Sequence, residues 1–151
     1  MRSRIFAASS LVLVGLIDFA AGYSTGQESK ASQRVYELRT YTTLPGRLPA
    51  LNKRFAEHTL RLFEKHGMRN EMYFIPSERA VGQETTPVEN TLIYVISHDS
   101  REAADKSWKA FGADPEWQKV AAASQTEEAG GKIVSKVERV WMTLADYSPK
   151  R

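Results

Sequence analysis

Hydrophobic positions along this chain recur every second residue in some stretches and every third or fourth in others, and the changes of period mark its elements. Val35 to Thr42 (VYELRTYT) is rich in aromatic and β-branched residues, has no Gly or Pro and predicts a strand, broken by Leu44-Pro45-Gly46. Leu48, Leu51, Phe55, Thr59, Leu62, Phe63 and His66 then fall mostly three and four apart, the stripe of a helix running to about His66. Pro49 sits in its first turn, where a missing N–H costs little, and Gly67 stands where a left-handed C-cap belongs. Arg69 to Ile75 (RNEMYFI) predicts a second strand ended by Pro76, with a polar loop at 77–89.

Thr91 to His98 (TLIYVISH) is the clearest strand in the chain. Asp99 or Ser100 caps the helix that follows, Asp99 and Glu102 resembling a capping box, and Ala104, Trp108 and Phe111 form its inner stripe. Gly112 is expected to interrupt it. Asp114-Pro115-Glu116 restarts a helix, with Asp as N-cap, Pro at the first helical position and Glu in the electropositive first turn; Trp117, Val120, Ala121 and Ser124 share a face. Gly130-Gly131 ends the helical region, and Ile133 to Leu144 reads as the last strand.

The order β-α-β-β-α-β predicts an α+β, ferredoxin-like domain: one four-stranded antiparallel sheet with helices on one face. The third strand is apolar on both sides, Leu92, Tyr94 and Ile96 pointing one way and Ile93 and Val95 the other. A sheet with one face in water alternates instead. The helices suffice for one face, so the other needs a cover: a second copy of the sheet in a homodimer, or the 77–89 loop folded back.

Ahead of the domain, Arg2 and Arg4 precede a mostly apolar run, Ile5 to Ile17, closed by Asp18 and the small residues Ala20-Ala21-Gly22. Residues 1–22 therefore read as a secretory signal peptide cleaved after Gly22, 23–33 (YSTGQESKASQ) as a flexible linker and 34–149 as the domain. The expected location is secreted or periplasmic. The run is shorter than the roughly 20 residues that span a bilayer, so no stable span remains after cleavage; an uncleaved anchor is the alternative.

Net charge is +3 over 151 residues; Arg2, Arg4 and Asp18 account for +1 of it, leaving about +2 for the mature part. So balanced a chain gives no case for nucleic-acid binding. There is no cysteine, which excludes disulfides, thiolate metal sites and thiol catalysis.

Several stretches resemble NIPSNAP-domain proteins. Val35-Tyr36-Glu37-Leu38-Arg39-Thr40-Tyr41 is similar to their opening strand and Arg54 to Gly67 (RFAEHTLRLFEKHG) to their first helix. Ser107-Trp108-Lys109-Ala110-Phe111 and Asp114-Pro115-Glu116-Trp117 resemble their second helical region, and Asp146-Tyr147-Ser148-Pro149 their C-terminal tail. The resemblance implies a dimeric α/β-barrel of ferredoxin-like subunits. That superfamily includes cofactor-independent monooxygenases, small isomerases and haem enzymes, but the family has no agreed reaction, and function does not follow from fold.

The residues offer limited chemistry. His58, beside Thr59 on the helix stripe, is the candidate catalytic base, or else a histidine at the edge of the helix–sheet interface. His66, eight residues on, lies roughly 12 Å away along the axis, too far to share a metal, and is expected to meet carbonyls at the helix C-terminus. His98 ends a strand. No metal-ligand spacing, phosphate loop or dinucleotide fingerprint occurs, so no metal or cofactor is expected. Glu37 and Arg39 share a strand face with Tyr41: Arg39 is either an anchor for a ligand carboxylate or half of a structural ion pair. Tyr36, Tyr41, Tyr94 and Trp108 are the aromatic candidates for a pocket wall, or else plain core.

Two readings follow. One is a non-catalytic exported homodimer binding a small, partly apolar ligand or a protein partner. The other is a cofactor-independent oxygenase or isomerase with His58 as base and Arg39 or Tyr41 orienting the substrate.

Overall fold

The computed structural model describes residues 34–78 and 88–149. The expected leader, linker and most of the 77–89 loop lie outside the described residues. Strand β1 (Val35–Thr43) leads to helix α1 (Leu48–Arg54), a π-helical segment (Phe55–Thr59) and helix α2 (Leu60–Lys65). Then come β2 (Arg69–Phe74), a 3-10 turn (Val88–Asn90), β3 (Thr91–His98), α3 (Arg101–Ala113), α4 (Pro115–Ala123) and β4 (Val134–Met142). The four strands form one sheet in the order β2-β3-β1-β4, every neighbouring pair antiparallel. This is the expected ferredoxin-like α+β arrangement.

Local chemistry sets the boundaries. Ser100 caps α3 by accepting from the Ala103 N–H at 3.1 Å, as one of the two expected caps. Gly112 does not interrupt that helix, which continues to Ala113. An interior glycine costs a helix only about 1 kcal/mol. The break falls instead at Asp114, whose extended backbone (φ −67°, ψ 121°) is what a residue before proline prefers. Strand β2 stops at Phe74, one residue short of expectation, because Pro76 follows and cannot donate to the ladder.

The predicted first helix is not uniform. Leu60 N–H bonds to Phe55 O, five residues back, so one turn is π rather than α. Thr59 Oγ1 donates to the carbonyl of Arg54 at 3.2 Å, also five residues back, and the hydroxyl is buried there.

The core lies between the sheet and the helices, around Leu51, Phe55, Leu62, Phe63, Met68, Tyr94, Ile96, Phe111 and Ile133. Tyr94 is at its centre, stacked on Tyr73 at 5.2 Å and edge-on to Phe55 at the same distance. The opposite face of the sheet carries apolar residues as well. The register sets Met72, Val95, Leu38 and Val140 in one row across all strands and Phe74 beside Ile93 in the next. Met72, Phe74 and Val140 are each about half exposed (51%, 48% and 54%).

Candidate functional site

A cavity of about 650 Å³ opens between α4 and the stretch from α1 into the π-helical segment. Helix α4 is fastened at its ends. At its start Asp114 accepts from Lys65 Nζ and His66 Nε2, each at 2.7 Å, and caps the helix by accepting from the Glu116 N–H at 2.8 Å. His66 thus meets a carboxylate, not the helix-end carbonyls expected for it. Trp117 packs on Phe111 with ring centroids 4.4 Å apart, and Arg61 pairs with Glu116. Beyond the far end, Ser124 Oγ accepts from Arg54 Nη1 at 3.1 Å. The apolar part of the lining is of small side chains: Ala50, Val120, Ala123 and, beyond Ser124, Ala129. They leave the space unfilled.

The loop after α4 closes one side. Arg47 Nη2 donates to Gly131 O at 2.9 Å. Gly130 has φ +90°, a backbone conformation that favours glycine, and a Cβ there would come 2.5 Å from Arg47 Nη1, which would have to move aside.

His58 lines this cavity. Its ring Nε2 is 3.9 Å from Glu57 Oε2, beyond hydrogen-bond reach, and its side chain is 40% exposed. Among the described residues nothing orients its ring by a hydrogen bond.

Arg54 also lines the cavity, and sequence reasoning missed it. It is 7% exposed. Its Nη1 bonds to Ser124 Oγ, its guanidinium lies 5.3 Å from the Trp117 ring centroid, and its buried Nε has no partner among the described residues. Burial lowers its pKa from the ordinary 12.5, and the phenols of Tyr41 and Tyr94 act in the opposite direction. The available signal was its slot: three residues after Leu51 and beside Phe55, on the apolar stripe itself.

The other sequence candidates lie elsewhere; none lines the cavity. Glu37, fully buried on the helix-covered sheet face, accepts from Trp108 Nε1 at 2.7 Å, Arg39 Nη1 at 3.0 Å and His98 Nε2 at 3.3 Å. Arg39 stacks over Trp108 at 4.2 Å. Arg39 and Trp108 are thus joined in an internal ion-pair cluster. Tyr41 packs edge-on to Phe55 and Tyr94. Tyr94 is wholly buried, and burial with the neighbouring Tyr41 holds its pKa well above the ordinary 10.0. Tyr36 is on the opposite face of the sheet, paired with Ser97 and Met142. Among the described residues, no group of three or more His, Asp or Glu side chains could hold a metal ion, and no helix is long and apolar enough to cross a membrane.

The family model for NIPSNAP matches residues 36–149. The chain belongs to the NIPSNAP family. Solved NIPSNAP structures share the fold. One, a NIPSNAP family protein of unknown function from Agrobacterium tumefaciens, is 20% identical over 78% of this chain and 94% of its own, with a TM-score of 0.61. An uncharacterized NIPSNAP-like domain protein from Burkholderia xenovorans is 14% identical over 78% of this chain and 90% of its own, with a TM-score of 0.62. SnoaB, a cofactor-independent oxygenase from Streptomyces nogalater, is 16% identical over 78% of this chain and 99% of its own, at a TM-score of 0.49, a likeness too slight to carry a functional argument. No curated protein matches the chain in sequence.

Proposed function

We propose that this NIPSNAP domain is an exported homodimer that binds a small, partly apolar molecule in the cavity between α4 and the π-helical segment. One observation carries the reading: a space of about 650 Å³ with an apolar floor and a charged rim, placed at a π turn. Ligand sites have this size and lining, and π turns recur at functional sites.

Binding is favoured over proton transfer by the state of His58. A general base works best with its ring held in one tautomer by a second group, and Glu57 at 3.9 Å does not do this. The homodimer accounts for the second apolar sheet face. A two-fold axis through that face would set Leu38, Val95 and Val140 of one protomer against the same residues of its partner, a self-complementary contact. Export rests on the pattern of residues 1–22.

A thermal-shift screen of small aryl and alkyl compounds against the full chain tests the reading when repeated on Ala123→Trp, which fills the cavity. Stabilisation of the parent that vanishes in a folded Ala123→Trp supports it. Compounds that stabilise both equally place binding elsewhere and overturn it.

A further inference from the structure

We infer that the cavity selects a carboxylate-bearing ligand, with Arg54 as the anion-binding residue and the apolar floor taking the rest of the molecule. The inference rests on the cavity being a ligand site, as proposed above. Its starting point is an imbalance of charge. A guanidinium stays protonated in proteins, and a buried cation without a counter-ion is costly. Arg54 is 7% exposed, yet among the described residues its hydrogen-bond partner is a neutral hydroxyl, Ser124 Oγ, and no carboxylate pairs with it.

The two acidic groups on the cavity wall do not answer that charge. Glu116 pairs with Arg61 and lies 4.0 Å from Lys65, and Glu57 faces His58. Lys53 and Lys119 add positive charge at the exposed rim. Contrast Arg39, a partly buried arginine whose charge Glu37 meets at 3.0 Å. This fold supplies a buried partner to the arginine that serves the core and withholds one from the arginine that faces the cavity. A carboxylate suits this guanidinium, since arginine holds carboxylates by charge-assisted hydrogen bonds. The alanine and valine floor calls for an apolar body such as an aryl or short alkyl group.

Calorimetric titration of the full chain with phenylacetate and its uncharged counterpart phenylacetamide tests this. The parent should bind phenylacetate roughly ten- to a hundredfold more tightly. Arg54→Met should remove that preference in a protein that still folds, its circular dichroism matching that of the parent. Lys119→Met, at the exposed rim, should keep most of the preference and is read alone if Arg54→Met does not fold. Equal binding of the two probes overturns the inference, as does a preference lost in Lys119→Met or retained in Arg54→Met. If both probes bind equally and Ala123→Trp abolishes both, the cavity still binds ligands and only the charge selection fails. If neither binds, both proposals fail.

Discussion

Glu37 and His98 lie 3.3 Å apart on neighbouring strands, and neither side chain reaches solvent. The same carboxylate satisfies Trp108 Nε1 and balances Arg39, so one residue ties β1 to β3 and α3. Removing it strands a buried cation and an indole N–H together. Glu37→Ala is expected to cost about 3–5 kcal/mol of unfolding free energy, measured by urea denaturation. Glu37→Gln keeps the shape and loses the charge, and should fall between Glu37→Ala and the parent.

The acid side of the stability profile follows from two carboxylates. Burial raises the pKa of Glu37, but hydrogen bonds from His98 and Trp108 and the charge of Arg39 outweigh it, so the folded value lies below the ordinary 4.5. Asp114 is held well below its ordinary 3.8, first by the hydrogen bonds from Lys65 and His66. A depressed folded pKa adds stability above the unfolded value, and that stability disappears as pH falls through the folded one. The urea midpoint should therefore drop on acidification, beginning near the ordinary carboxylate values. Asp114→Asn keeps the helix cap but not the ion pairs. It should start lower at neutral pH and lose less than the parent in acid.

Thr59 makes a third test. Its hydroxyl serves the Arg54 carbonyl inside the π turn, where water does not reach. Thr59→Val keeps the volume and leaves that bond unmade, for an expected loss of about 1–3 kcal/mol. Because the same turn carries Arg54 and His58, ligand affinity should fall with stability in a titration of this variant. Unchanged affinity would show that the π turn does not shape the cavity.

The exposed sheet face gives the assembly prediction. Phe74 is 48% exposed and pairs with Ile93 across the face proposed to join two copies. Phe74→Lys combined with Val140→Lys should convert a dimer to a monomer in light scattering at micromolar concentration, with the circular dichroism of the fold retained. A parent that is already monomeric removes the homodimer.

The fold was legible because its signals are redundant. Thr91 to His98 was bounded to the residue by β-branched content, and the Asp114-Pro115-Glu116 stop and start fixed α4 from its first residue. Glu37 and Arg39 were legible as a pair because alternation puts them on one strand face. Arg54 was not. It occupies a stripe position, and periodicity registers a charged residue there only as an imperfection in the pattern. The π turn left no mark either, since FAEHT has the composition of an ordinary helix. Cavities form where packing stops short, and that depends on α4 being fastened from partners 49 and 55 residues away in sequence, Lys65 to Asp114 and Arg61 to Glu116.

The π turn also bears on how this helix can vary in length. A π turn takes up one residue more than an α-helix would, so everything beyond it is set back by about 100°. Leu48 and Leu51 before it, and Leu62 and Phe63 after it, all reach the same core with that offset in place. Ala56 and Glu57 are exposed within it and open to substitution. Deletion of either one would let the helix become regular while both halves of its apolar stripe keep their orientation on the core, because the lost residue is the extra one the π turn takes up. At these positions the helix can lose a residue, as well as exchange one, without turning its apolar stripe away from the core.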